Sequence, residues 1–233
     1  GREYPAAGLG SAHITPSARG ILLTSAIFDD AGSPGYLDFS RPGWRPLAAI
    51  AQRHKTDEDF LHRLDAISTT GFSDQDQLSH DLLMRVLQQR ITDFNLKEYE
   101  MPINQQNGIH TSLADLPQAV PLDSVKHYED YVSRLHQIPR ALNQVTEVLQ
   151  AGMKDKLMPV RFLAEKIPAQ CEGIIAADPF LRPTKKYPAD ISPEDQKRLT
   201  REITDAVNAD VLPAYKKFAE FIKTEYAPQA RTT

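Results

Sequence analysis

The segment SPEDQKRLTREITDAVNADV, residues 192–211, carries every local signal of an amphipathic α-helix. Ser192 is a favoured N-cap residue, and Pro193 suits the first helical position. Acidic side chains follow at Glu194 and Asp195, where they interact favourably with the positive end of the helix dipole. Apolar residues then recur every four positions, at Leu199, Ile203, Val207 and Val211. The pattern predicts a helix that buries one face in a core.

The same kind of pattern recurs along most of the chain. We expect helices to begin at the N-caps Thr56, Ser73 and Ser124, because short polar side chains satisfy the free N–H groups of a first turn. Apolar residues at helical spacing support the second of these helices, namely Leu78, Leu82, Leu83, Val86, Leu87 and Ile91.

Proline and glycine suggest where other helices begin, bend or end. Further helices are predicted from Pro139 to Gly152, from Met158 to Ala177 with a kink at Pro168, and from Pro213 to Tyr226. We expect Gly71 to end the helix that begins at Thr56. Residues 95–123 break the helical rhythm and are predicted to form a long structured loop, although residues 94–103 also fit a short strand. The predicted fold class is all-α, an irregular multi-helix array.

Two regions are expected. Residues 1–46 are rich in Pro and Gly and predict an irregular N-terminal arm with one short helix around residues 17–28. Residues 47–233 predict a helical domain. The first residues, Gly1–Pro5, resemble a processed or trimmed end.

Composition limits the classes of function. The net charge of −4 over 233 residues is not the strongly basic balance that is typical of proteins that bind nucleic acid. The densest basic cluster is Lys185–Lys186 beside Arg182. The single cysteine, Cys171, excludes an intrachain disulfide and is expected to be buried. No apolar run reaches the roughly 18 residues of a membrane span. We therefore expect that this chain does not bind nucleic acid and does not span a membrane.

Catalytic motifs are missing from these residues. The chain contains no His-Glu-x-x-His zinc motif, no nucleophile elbow and no phosphate-binding glycine loop. His54 with Glu58, His127 with Glu129 and Asp130, and the pair Asp29–Asp30 could act as ligands or acid–base groups. Each is better interpreted as a solvated, charged helix start or loop surface. No catalytic or metal-binding residue is predicted, and no cofactor is expected in this chain.

One polar segment stands out within the predicted loop. Residues 104–110, NQQNGIH, place four amide side chains in a row, and amides offer both donors and acceptors. Such a cluster could hold a peptide backbone, or it could equally satisfy unpaired groups at helix ends. The candidate substrate-cleft residues are Asn104, Gln105, Asn107, Gly108 and His110.

The order of several short segments resembles the N-terminal half of the bacterial domain-of-unknown-function 885 proteins over roughly residues 45–233. The segments are Leu64–Ile67, Met101–Gln105 with Gly108 and His110, Tyr128–Tyr131, Arg134–Pro139, Gly152, Pro159–Val160, Tyr215–Phe218 and Tyr226–Arg231.

This resemblance implies a larger, two-lobed helical protein similar to gluzincin-type zinc peptidases, with a deep cleft between its lobes. The family's zinc motif, a His-Glu-x-x-Pro-Gly-His run, belongs to the C-terminal half, and no such run occurs before Thr233. The resemblance thus implies zinc for the full-length protein only, with the missing C-terminal half as partner and a peptide as substrate. Family members often carry a secretion or lipoprotein leader, which favours the periplasm or cell envelope over the cytoplasm.

The predicted function is that of an N-terminal lobe that shapes a substrate cleft and is inactive alone. The alternative is a helical protein–protein interaction module without catalytic activity. A large exposed apolar face would favour the lobe, and a closed core with a smaller groove would favour the module.

Overall fold

A computed structural model of the protein describes residues 13–17, 20–24 and 45–232. The fold is all-α, as the sequence predicts. The α-helices, in chain order, are α1 (Leu47–Asp65), α2 (Asp74–Asn95), α3 (Ile109–Ala114), α4 (Leu116–Ala119), α5 (Val125–Leu135), α6 (Ile138–Asp155), α7 (Arg161–Ala164), α8 (Ile167–Ala177), α9 (Pro193–Ala206), α10 (Leu212–Phe221) and α11 (Ala227–Gln229). Short 3-10 segments lie at Glu98–Glu100 and Pro179–Lys185.

The described part of the N-terminal arm is a hairpin. Strands β1 (His13–Ser17) and β2 (Gly20–Thr24) pair in antiparallel register, with Ser17 opposite Gly20. The helix predicted around residues 17–28 is therefore wrong over β2. A short apolar run such as residues 21–24 cannot be assigned to helix or strand by periodicity alone. The rest of the predicted arm, residues 1–12, 18–19 and 25–44, lies outside the described residues.

The chain divides into two compact units. Of the described residues, the first comprises 13–17, 20–24 and 51–97, and the second comprises 45–50 and 98–232. The predicted boundary at residue 46, between an arm and one helical domain, stays a prediction. In the part of the chain that the structure describes, no helix is both long and apolar enough to cross a bilayer.

Within the first unit, specific polar and ring contacts join α1 to α2. The buried His80 has its Nε2 atom 3.2 Å from the carbonyl oxygen of Leu64, and the His54 and Phe94 rings stack with centroids 3.8 Å apart. The N-cap at Ser73 is confirmed, since its side chain accepts the N–H of Asp76.

Two predictions about α1 are wrong. Thr56 does not begin a helix: it lies inside α1 and its Oγ1 donates to the carbonyl oxygen of Gln52 at 3.0 Å. A threonine hydroxyl can bond to the carbonyl four residues earlier, so a threonine is compatible with a helix interior. Gly71 lies six residues after the helix ends at Asp65, in a turn where its φ of 83° favours glycine.

A continuous helical segment from Pro193 to Gln229 dominates the second unit. Ser192 caps it as predicted, accepting the N–H of Asp195 at 3.1 Å. The sequence predicts a break before Pro213, but the chain stays helical through a π-turn at Val207–Val211. A second π-turn at Ile222–Tyr226 precedes Pro228. In both places a wider turn accommodates a proline that lacks an N–H and would crowd the carbonyl of the previous turn.

The core of the second unit forms where α10 packs on α6 and α8. Buried tyrosines contribute to it. The hydroxyl groups of Tyr128, Tyr131 and Tyr215 donate to backbone oxygens, whereas that of Tyr226 has no hydrogen-bond partner among the described residues. Tyr131 donates to the carbonyl of Phe180 at 2.8 Å, and Tyr215 donates to that of His110 at 2.6 Å. These bonds remove the cost of burying a polar group and fix the 3-10 segment and α3 against the core.

Gly152 was expected to end α6, but the helix continues to Asp155 and is capped by the left-handed Lys156. Gly152 is buried, and a Cβ atom there would lie 2.7 Å from the carbonyl oxygen of Glu100. The glycine is therefore needed for the close approach of a segment fifty residues earlier.

The remaining irregular regions also differ from prediction. Residues 94–103 form no strand: α2 runs to Asn95 and a 3-10 turn follows. The predicted loop at residues 95–123 contains α3 and α4. The predicted helix from Met158 to Ala177 begins only at Arg161 and breaks before Ile167, so Pro168 lies in the first turn of α8 instead of kinking a longer helix. Pro139 occupies the first turn of α6, as predicted.

Candidate functional site

The segment of residues 103–110 folds around the side chain of Asn104. The Asn104 Oδ1 atom accepts the backbone N–H groups of Gln106 and Asn107, each at 2.8 Å. In return, the Asn104 N–H donates to the carbonyl oxygen of Asn107 at 2.8 Å. Three hydrogen bonds therefore close the turn on itself, as asparagine commonly does in turns. The side-chain carbonyl of Asn104, one of the predicted substrate-cleft residues, is therefore used to shape the loop.

Gly108 connects this turn to α3. Its carbonyl oxygen accepts the N–H groups of Thr111 and Ser112 and, at 2.8 Å, the hydroxyl of Thr111. Its φ of −169° is extended and open to any residue. A Cβ atom at this position would, however, lie 2.5 Å from the His110 ring atoms Nδ1 and Cε1. Glycine is thus required here by the packing of a buried ring.

His110 lies under the loop and is completely buried. Gln170, on α8, holds it: the Gln170 Nε2 atom donates to the carbonyl oxygen of Gln105 at 2.7 Å, and the Gln170 Oε1 atom lies 3.1 Å from His110 Nε2. Because a backbone carbonyl only accepts, Gln170 turns its oxygen to the ring, and His110 Nε2 carries the proton.

The environment keeps His110 uncharged. Burial lowers the pKa of His110, and the hydrogen bond to Gln170 opposes that shift only in part. Among the described residues, the buried Nδ1 atom has no hydrogen-bond partner. A protonated ring would have to bury an unpaired charge, so His110 serves as a neutral donor that ties α3 to α8.

The five predicted site residues therefore occupy two levels. Asn104 and Asn107 are exposed, Gln105 is half-buried, and Gly108 and His110 are buried beneath them. The buried two can position the loop but cannot touch a ligand in this conformation. The predicted contact of the segment with substrate stays a prediction.

Sequence reasoning missed Gln170 and Tyr215, which support the loop from α8 and α10. Tyr215 belongs to a segment that carries the family resemblance, but nothing in the sequence links Tyr215 or Gln170 to His110, which they follow by 105 and 60 residues. Next to Gln170, Cys171 is buried as predicted, and burial with the nearby Glu172 carboxylate raises the pKa of its thiol to about 12. The thiol stays protonated and unreactive near neutral pH.

The clusters considered as ligands contact other ionisable side chains. His54 Nε2 lies 3.3 Å from Glu58 Oε1 within α1, and His127 Nδ1 lies 2.6 Å from Asp123 Oδ1. Glu129 pairs with Arg198 at 3.0 Å. The pair Asp29–Asp30 lies outside the described residues.

The zinc implied by the resemblance can be tested against these positions. Within residues 13–17, 20–24 and 45–232, no three His, Cys, Asp or Glu side chains come together in a way that could hold a metal ion. A zinc site requires at least three protein ligands in catalytic enzymes. The described residues do not fit this group.

Comparison with known proteins adds the family. The model of a bacterial protein of unknown function (DUF885) matches residues 38–233, and the chain belongs to this family. The resemblance found from the short sequence segments is thereby confirmed at the level of the family. No match was found among curated proteins.

Proposed function

We propose that this chain is the N-terminal lobe of a zinc-dependent peptidase-like protein, and that the loop of residues 103–110 lines its substrate cleft. The observation that carries the proposal is the combination of a firmly held loop backbone with exposed amide groups. Gln106 is exposed, and neither atom of its amide has a partner among the described residues.

A loop of this kind suits the recognition of a peptide backbone. A peptide presents alternating N–H and C=O groups. A primary amide can bind both, because its oxygen accepts and its NH2 group donates hydrogen bonds. The turn around Asn104 and the Gln170 contact hold the loop before any ligand arrives, so little conformational freedom is lost on binding. The Asn104 Nδ2 group and the side chains of Gln106 and Asn107 are the groups we expect to contact substrate.

In this proposal the chain binds and orients the peptide and shields it from water, and a separate part of the protein supplies the hydrolytic centre. This division of labour is supported by the composition of the chain, since no cluster among the described residues could supply a metal's ligands. A lobe that positions a substrate contributes to rate through orientation, which requires no acid or base of its own.

Kinetics of loop variants test the proposal, measured on the protein expressed from the complete reading frame with a peptide library as substrate. Gln106→Ala and Asn107→Ala should each raise KM or lower kcat by about two- to tenfold, the worth of one hydrogen bond. Gln118→Ala, at another exposed glutamine of the same unit, is the control and should change nothing.

The two roles of Asn104 can be separated in the same assay. Asn104→Ala removes the acceptor that closes the turn, whereas Asn104→Asp keeps that acceptor, replaces the Nδ2 donor with a second oxygen and adds a negative charge. A loss of activity in both variants supports substrate contact. Unchanged peptidase kinetics in Gln106→Ala, Asn107→Ala and Asn104→Asp would show that the loop is only structural.

One observation favours the alternative of a helical interaction module. On α2, Leu78, Leu82 and Val86 are spaced four residues apart and expose 52%, 53% and 46% of their surface. The stripe is narrow, three side chains on one helix, so it fits the smaller binding surface expected of the module and not the broad apolar face expected of the lobe. If the complete protein hydrolyses no peptide in the library, the result favours this second function.

A further inference from the structure

The Lys185–Lys186 cluster lies at a hollow of the second unit that the proposed function does not use. The 3-10 segment Pro179–Lys185 and the first half of α9 border a shallow hollow of about 440 Å³ that is open to solvent. The hollow is lined by Thr184, Lys185, Lys186, Tyr187, Pro193, Gln196, Lys197 and Thr200.

The charge of the hollow has one sign. Its lining contains the lysines Lys185, Lys186 and Lys197 and no acidic residue. Among the described residues, none of the three ammonium groups has an ion-pair or hydrogen-bond partner. Uncompensated like charges around a concave surface raise the local concentration of anions.

Most acidic side chains near the hollow do not neutralise these lysines, because those acids are paired with Arg198 instead. Its guanidinium lies 3.0 Å from Glu129 and 3.1 Å from Asp195, and it also pairs with Glu202 at 3.3 Å. The remaining acids of this segment, Asp190 and Glu194, are exposed and do not line the hollow.

Polar groups inside the hollow add directional donors. The hydroxyl groups of Tyr187 and Thr200 lie 2.9 Å apart. One hydroxyl donates to the other, so the second keeps its own hydrogen available for a ligand. Gln196 is fixed at the base, where its Nε2 atom donates to the carbonyl of Ile191 at 2.9 Å. The Tyr187 ring is held in place against Tyr128, with centroids 4.8 Å apart.

We propose that this hollow binds a small, multiply charged anion of the phosphate type. Lysine ammonium groups bind phosphate as point charges, whereas a planar carboxylate is better matched by the fork of an arginine. Three lysines and a free hydroxyl hydrogen suit a ligand with two or more negative charges and several acceptor oxygens. The site is separate from the loop of residues 103–110 and does not depend on the peptidase proposal.

Calorimetric titration of the full chain with inorganic pyrophosphate tests the site. Wild-type protein should bind it, and the affinity should fall steeply as salt is raised from about 50 mM to about 500 mM. Lys185→Gln/Lys186→Gln/Lys197→Gln should weaken binding about tenfold or more. The control Lys154→Gln/Lys216→Gln/Lys223→Gln removes the same charge from exposed lysines outside the hollow and should stay within about twofold of wild type.

A second variant separates a built site from general attraction to positive charge. Tyr187→Phe/Thr200→Val removes both hydroxyls of the pair, and with them the free hydrogen, and leaves every charge in place. It should weaken pyrophosphate binding about threefold, the worth of one modest hydrogen bond. The proposal is overturned if wild-type protein does not bind pyrophosphate at millimolar concentration, or if the control lysine variant loses as much affinity as the hollow variant.

Discussion

Helices α2 and α6 have similar apolar spacing and different environments. Along α6, Leu142, Val145 and Leu149 are at most 2% exposed. Along α2, Leu87 is buried, whereas Leu82 exposes 53% of its surface. The periodicity of a sequence therefore predicts that a helix forms and which residues share a face. Whether that face is covered depends on the other elements of the fold. In this chain the apolar face of α6 is covered, and part of that of α2 is exposed.

The largest expected effect is a direct test of this contrast by matched leucine truncations. Leu142→Ala should lower the free energy of unfolding by about 2–5 kcal/mol, because it leaves a cavity in a closed core. Leu82→Ala should change it by about 0.5 kcal/mol or less, since the side chain is already half in water. Urea denaturation followed by circular dichroism measures both.

Leu87→Ala, on the buried side of α2, is the control for position within that helix. It should cost several times more than Leu82→Ala. Equal losses for Leu82 and Leu142 would mean that the exposed stripe of α2 is buried in solution.

Glycines provide a second, smaller contrast. Gly152→Ala should destabilise the protein by about 1–3 kcal/mol, because the added methyl would meet the backbone oxygen of Glu100 at 2.7 Å. Gly173→Ala, in the middle of α8, meets nothing within 4 Å and should stabilise the protein by about 0.5–1 kcal/mol. Thermal unfolding of both variants checks the prediction, and a loss of stability in Gly173→Ala would contradict it.

The smallest expected effect comes from His110 and depends on pH. Its folded-state pKa lies below the ordinary value of 6.5, so the unfolded chain binds more protons in acid. The stability from the neutral ring is present above pH 6.5 and is lost as pH falls towards the folded-state pKa. The loss approaches at most about 1.4 kcal/mol per pH unit.

His110→Gln should flatten this part of the profile. Urea midpoints between pH 7.5 and pH 5.5 measure the slope for both proteins. Identical slopes in wild type and variant would show that His110 does not respond to acid in the folded protein.

Local signals predicted much of this fold. Ser73, Ser124 and Ser192 are N-caps as expected, each accepting a backbone N–H from the third residue after it. These motifs are correct because both partners lie within a few residues. The prediction failed where distant segments decide, as at Gly152, which accommodates Glu100.

The candidate site shows the same limit. The amide run of residues 104–107 is visible in the sequence, and so is the possibility that it satisfies unpaired groups at helix ends. Asn104 closes the turn through partners within three residues, whereas the support from Gln170 depends on the approach of α8. Such contacts leave no periodic trace in the sequence, so the two levels of the site could not be foreseen.

Zinc content and peptide hydrolysis, measured side by side on this 233-residue chain and on the product of the complete reading frame, test the central proposal most directly. The account predicts stoichiometric zinc and peptide cleavage in the complete product, with neither in the chain alone. Tightly bound zinc or unaided peptide cleavage in the 233-residue chain would contradict it, as would a complete product that binds no zinc.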